Sequence, residues 1–232
     1  MSIGTGGVTA SGGQSAEAMI AEARKAFWVM VGFLAILWIL QIFNALDNYG
    51  FNQSYGIAAR DVASLPGVIT APFLHVSWAH IESNSGPLFI FGFLAAYRGV
   101  KKWLGVSVLI IIVSGLGAWL ISPAGSETVG ASGVIFGYLG YVLVRGIFDR
   151  HRIDIVIGLV MALCFAYQFT ALVPQNDGVS WQAHVFGFAA GIVGGWFFRE
   201  RRPKKAAAVA GPAATPPLFD PTTTVLDKPK QP

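Results

Sequence analysis

Four side chains suited to hydrolytic chemistry stand in stretches of sequence that are otherwise apolar: Ser132, His184, Asn84 and His80. A serine hydroxyl is a weak nucleophile until a neighbouring base takes its proton, and histidine is the usual base near neutral pH. Ser132 and His184 supply that pair. The oxyanion of a tetrahedral intermediate also needs donors, for which Asn84, His80 and the backbone N–H groups at the start of a helix carrying Ser132 are candidates. Taken singly, each residue has a bland explanation. Gly130-Ala131-Ser132-Gly133 reads equally well as a helix start in a chain of 28 glycines, and a lone helical histidine is usually a structural one. The combination carries weight only if the elements bring it to one place.

Those elements follow from composition. The chain has 232 residues, 54% of them hydrophobic and 12% charged, about half the charged share of a soluble domain. Its apolar excess falls in runs over residues 26–46, 80–97, 103–121, 129–144, 155–173 and 179–198. Most approach the ~20 residues that cross a bilayer. The predicted fold class is therefore all-α and polytopic, with six transmembrane helices. The Lys and Arg clusters between the runs place Arg24, Arg98, Arg145 and Arg199 on the cytoplasmic side, with both termini there. The membrane domain is expected over 26–199, with 47–79 as an extracytoplasmic first loop lying partly in the membrane interface. Residues 1–25 are expected to be a flexible cytoplasmic segment and 200–232 a disordered cytoplasmic tail.

The net charge of +4 is spread in short clusters that topology explains, so no nucleic-acid partner is expected. Cys164 is the single cysteine, which excludes an internal disulfide. The four histidines, His75, His80, His151 and His184, do not combine with Cys or carboxylates at ligand spacing, so neither a metal nor another cofactor is expected.

On this topology the second, fourth and sixth spans enter from the outer side, and Asn84, Ser132 and His184 share one depth. His80 and Asn84 are one helical turn apart. Gly187 and Gly191 continue the face of His184, while Gly130, Gly133, Gly137 and Gly140 mark a face of the fourth span. Small residues let helices approach closely in lipid, and such packing would bring His184 within hydrogen-bond reach of Ser132. Glycine stripes serve membrane helices of every function, however.

Gly130-Ala131-Ser132-Gly133, His75-x4-His80-x3-Asn84 and His184-x2-Gly187-x3-Gly191 together resemble the rhomboid family of intramembrane serine proteases. The resemblance spans about Ala26 to Arg199. It implies a rhomboid-like six-helix bundle in a bacterial plasma membrane, cutting transmembrane protein substrates. Ser132 would be the nucleophile and His184 the general base, with His80, Asn84 and the Ser132 amide stabilising the oxyanion. Where many members carry Trp-Arg in the first loop, this chain has Ala59-Arg60-Asp61. Glu82, on the far side of the helix from His80 and Asn84, is expected to face water or a polar neighbour. The alternatives are a catalytically inactive rhomboid-like protein that binds membrane clients, and a transporter, which would need a polar path across the whole bilayer.

Overall fold

A computed structural model describes residues 16–174 and 178–200; the segments expected to be flexible at 1–15 and disordered at 201–232 lie outside the described residues. Helix α1 (Ala16–Leu46) starts at Ala16 rather than at Ala26, where the apolar run begins. Ala-Glu-Ala-Met-Ile-Ala-Glu-Ala are strong helix formers, and Lys25 Nζ meets Glu22 Oε1 at 2.6 Å one turn away. The segment 16–25 is thus helical and not a loose leader. Met30, Leu37, Gln41 and Asn44 form the buried stripe of α1, while Trp28, Ile36, Ile39 and Phe43 are exposed. Such a surface is ordinary only where the surroundings are lipid.

The connection after α1 is folded. It holds α2 (Gly50–Tyr55), strand β1 (Ile57–Ala58), a 3-10 turn at Val62–Ser64, α3 (Gly67–Thr70) and a second 3-10 turn at Ala71–Phe73. Strand β1 pairs antiparallel with β2 (Glu127–Thr128), Ile57 opposite Thr128 and Ala58 opposite Glu127. Beside this ladder the Ala59-Arg60-Asp61 segment is pinned by backbone: Arg60 N donates to the Trp119 carbonyl at 3.0 Å. Trp119 Nε1 donates in turn to the Asp61 carbonyl at 2.8 Å.

Helices α4 (Trp78–Ala96), α5 (Val100–Ile121), α6 (Ser132–Asp149), α7 (Arg152–Cys164) and α8 (Trp181–Phe197) complete the bundle, with α6 at its centre. Among the described residues α1, α5 and α6 are long and apolar enough to cross a membrane. The fifth run is not one helix over 155–173: α7 ends at Cys164 and turns by 71° into a 3-10 segment, Ala166–Leu172, the two together making a fourth candidate span. No Pro or Gly marks the break. Phe165 leaves the helical region at φ −113°, ψ 26°, and its ring seats on Phe91, centroids 4.7 Å apart. Helices α4 and α8, with 19 and 17 residues, are shorter or more polar. The chain is an integral membrane protein, mostly helical.

Arg145 does not sit in a connection after the fourth span. Helix α6 runs past it to Asp149, and the guanidinium is 1% exposed. It donates to the Leu94 carbonyl at 2.6 Å and to Asp154 Oδ1 at 3.3 Å. Arg98 holds the other carboxylate oxygen at 2.6 Å, so one buried aspartate ties the turn after α4 to α6 and α7. A charge can be buried at such a position only because it is paired.

Candidate active site

Local sequence sets each helix start near the site. Ser77 caps α4 by accepting from His80 N at 3.1 Å, which puts His80 and Asn84 on one face a turn apart. Ser180 caps α8 by accepting from Ala183 N at 3.4 Å, so His184 falls in the first turn. Ser132 is the first residue of α6. Before it, Gly130 has φ +124°, a conformation side chains rarely adopt, and its N–H donates to the Ala71 carbonyl at 2.9 Å. A Cβ on Gly130 would lie 2.6 Å from His80 Cε1, so the space a side chain would fill holds the His80 ring. Gly130 therefore does not belong to the α6 packing face, as its spacing to Gly133 and Gly137 suggests. It lies in the turn before the helix and makes room for His80.

Helices α6 and α8 touch through backbone. A Cβ on Gly187 would overlap the Gly133 carbonyl oxygen, and one on Gly191 would overlap that of Gly137. A Cβ on Gly133 would lie 3.2 Å from Ser114 of α5 and 3.3 Å from the Ala183 carbonyl oxygen of α8, while one on Gly137 would meet Ile110 of α5. This approach brings His184 Nε2 to 2.8 Å from Ser132 Oγ. On the other edge of the ring, Nδ1 lies 2.9 Å from the Ala171 carbonyl oxygen. A carbonyl only accepts, so Nδ1 carries the proton and the Nε2 lone pair faces the serine hydroxyl. The Phe136 ring stacks on the imidazole, centroids 4.3 Å apart and 24° between planes, and His184 is 2% exposed.

The candidate oxyanion donors gather around the same turn. Asn84 Nδ2 lies 3.8 Å from the Cβ position of Gly130 and has no hydrogen-bond partner among the described residues. The first N–H groups of α6, beginning at Ser132, have no partner within the helix and sit at its positive end. A cavity of about 250 Å³ opens over Ser132, lined also by His80, Ser114, Gly133 and Ala183. Glu82 is exposed, away from this cavity.

Two contributors carry no signal of their own in the sequence, and a third, His75, stands there only as the first member of the His75-x4-His80-x3-Asn84 pattern. The Ala171 carbonyl is a backbone group. Phe136 is one of 17 phenylalanines, and only its place one turn after Ser132 distinguishes it. His75, fully buried beside His80 with ring centroids 5.0 Å apart, accepts from Ala131 N through Nε2 at 3.4 Å and so braces the turn before Ser132. Burial, then the charge of His80, pushes its pKa down to about 3. No cluster of His, Cys, Asp and Glu able to hold a metal occurs among the described residues.

A helical membrane protein with a serine and a histidine joined at the mouth of two close-packed helices is the class this architecture defines. The Rhomboid domain family model matches residues 63–201, and the chain belongs to the rhomboid family. A protein of Mycobacterium tuberculosis is 35% identical to it over 81% of this chain and 85% of its own length. The rhomboid protease GlpG of Haemophilus influenzae is 24% identical over 80% of this chain and 96% of its own. Rhomboid-like protein 11 of Arabidopsis thaliana, described as chloroplastic, is 38% identical over 37% of this chain and 31% of its own.

Proposed function

We propose that the chain is an intramembrane serine endopeptidase that cuts membrane proteins in or near their transmembrane segments. The observation that carries this reading is the 2.8 Å contact between Ser132 Oγ and His184 Nε2. Ser132 Oγ attacks the substrate carbonyl carbon as His184 Nε2 takes its proton. The oxyanion that forms is held by Asn84 Nδ2, His80 and the Ser132 N–H. His184 then returns the proton to the leaving amine, the C–N bond breaks, and water hydrolyses the acyl-enzyme by the same route in reverse. No carboxylate is needed behind the base, because the Ala171 carbonyl fixes the tautomer and its dipole stabilises the imidazolium. Phe136 holds the ring plane.

In this reading α4 and α8 complete a set of six spans, both termini are cytoplasmic, and the site opens toward the outer face of a plasma membrane. The membrane domain would run to Arg199 with the first loop as its outer cover. A substrate helix must unwind before the bond can be reached, since its amides are satisfied internally in lipid.

The test is cleavage of a reporter transmembrane substrate by purified protein in vesicles. Ser132→Ala is expected to lower kcat by at least about 10³-fold, and a fluorophosphonate probe to label the parent protein but not the variant. Undiminished cleavage by Ser132→Ala would remove the assignment. A folded parent protein that neither cuts nor labels would leave the binding-protein alternative.

A further inference from the structure

Resting on that proteolytic reading, we infer that Glu127 sets the substrate class, favouring membrane-anchored segments that carry a basic residue close to the bond that is cut. The cavity over Ser132 has largely apolar walls, among them Ile57, Pro72, Val76, Val129, Val134 and Val179. Of the described residues that line it, Glu127 is the only one with an acidic, Lys or Arg side chain. Its position is fixed, because strand β2 is paired to β1 with Ala58 opposite Glu127. The side chain is exposed, and none of the ion pairs among the described residues uses it. Arg60, two residues past Ala58 in the chain, does not line the cavity.

A single charge at the mouth of an apolar recess acts at longer range than one on an open surface. Low-dielectric walls focus its field, and its attraction for an opposite charge grows as the surroundings become less water-like. A substrate stretch seated against Ser132 must pass this carboxylate, which attracts Lys or Arg there and repels Asp or Glu. An apolar wall alone discriminates by size and cannot tell these side chains apart by sign.

The experiment uses the full-length protein in neutral lipid vesicles, with Ser132→Ala as the blank. Reporter substrates carry Lys or Glu at each of four positions on either side of the cleaved bond. At the most sensitive position, Lys is expected to exceed Glu by about tenfold in kcat/KM, the preference weakening as salt is raised. Glu127→Gln is expected to reduce the ratio to about twofold or less, and Glu127→Lys to invert it. Because the readout is a ratio between two reporters on one preparation, partial misfolding of a variant cancels. Ser132-dependent cleavage with equal rates for Lys and Glu, or a preference that survives Glu127→Gln, overturns the inference and leaves the protease reading standing. Absence of any Ser132-dependent cleavage overturns both.

Discussion

The backbone carbonyl of Ala171 accepts the Nδ1 proton of His184 across 2.9 Å, and it does so from the segment Ala166–Leu172, where the fifth apolar run has ceased to be an α-helix. The bend at Phe165 is what turns that carbonyl toward the imidazole. In a regular helix over 155–173 that oxygen would be one of the last four carbonyls, pointing along the helix axis without an intrahelical partner.

The bend can be tested through its anchor. Phe165→Ala removes the ring seated on Phe91 and should loosen the Ala171 carbonyl without touching Ser132 or His184. A small displacement of a positioned base is enough to lose one to two orders of magnitude in rate. The expected result is a kcat lowered by about 10- to 100-fold with KM changed far less, measured on the reporter substrate.

Asn84 offers a cleaner separation of chemistry from stability. Its Nδ2 has no partner among the described residues, so Asn84→Ala breaks no hydrogen bond of the folded protein that the structure displays. Removing one oxyanion donor is expected to lower kcat by about 10² to 10³-fold. Thermal unfolding in detergent should shift by less than about 1 kcal/mol.

The buried aspartate predicts the reverse pattern. Asp154 and Arg145 are each 1% exposed in their side chains, and Asp154→Asn would leave the Arg145 guanidinium in the interior without its counter-charge. Losing one partner of a buried pair destabilises by about 3 to 5 kcal/mol. A denaturant titration of the variant should show that loss.

His75 gives a pH dependence with a definite sign. Its folded pKa of about 3 lies below the ordinary histidine value of 6.5. The folded protein therefore binds fewer protons than the unfolded chain between these limits, and stability falls as pH drops through that window, by up to about 1.4 kcal/mol per unit. Protonation of Nε2 would also break the hydrogen bond it accepts from Ala131 N. Melting temperature measured from pH 7 to pH 4 should decline more steeply in the parent protein than in His75→Gln, where this titration is absent.

The polar members of the candidate site are legible in the sequence because lipid makes them conspicuous: Ser132, His184, Asn84 and His80 interrupt apolar runs. Their meeting point is not written in any one run, since it depends on Gly187 and Gly191 lying on the carbonyls of Gly133 and Gly137. The rest hides for identifiable reasons. Ala171 contributes an atom that every residue possesses. Arg145 looks like a topological marker at a span end, and only Asp154 on the next helix reveals it as an interior charge. The break at Phe165 has no Pro or Gly to announce it, and the ring contact with Phe91 that accompanies it joins residues far apart in the chain. The early start of α1 escapes a search for apolar runs because helix propensity, not hydrophobicity, extends it.

That extension has a mechanical consequence. Thirty-one residues of α1 make a rod of about 46 Å, while the hydrocarbon slab it crosses is only ~30 Å thick. All its charged residues, Glu17, Glu22, Arg24 and Lys25, belong to the first third of the rod, so the surplus length stands out of the lipid at that end as a stiff stalk. A spectroscopic label placed on the stalk would report the tilt of the whole bundle.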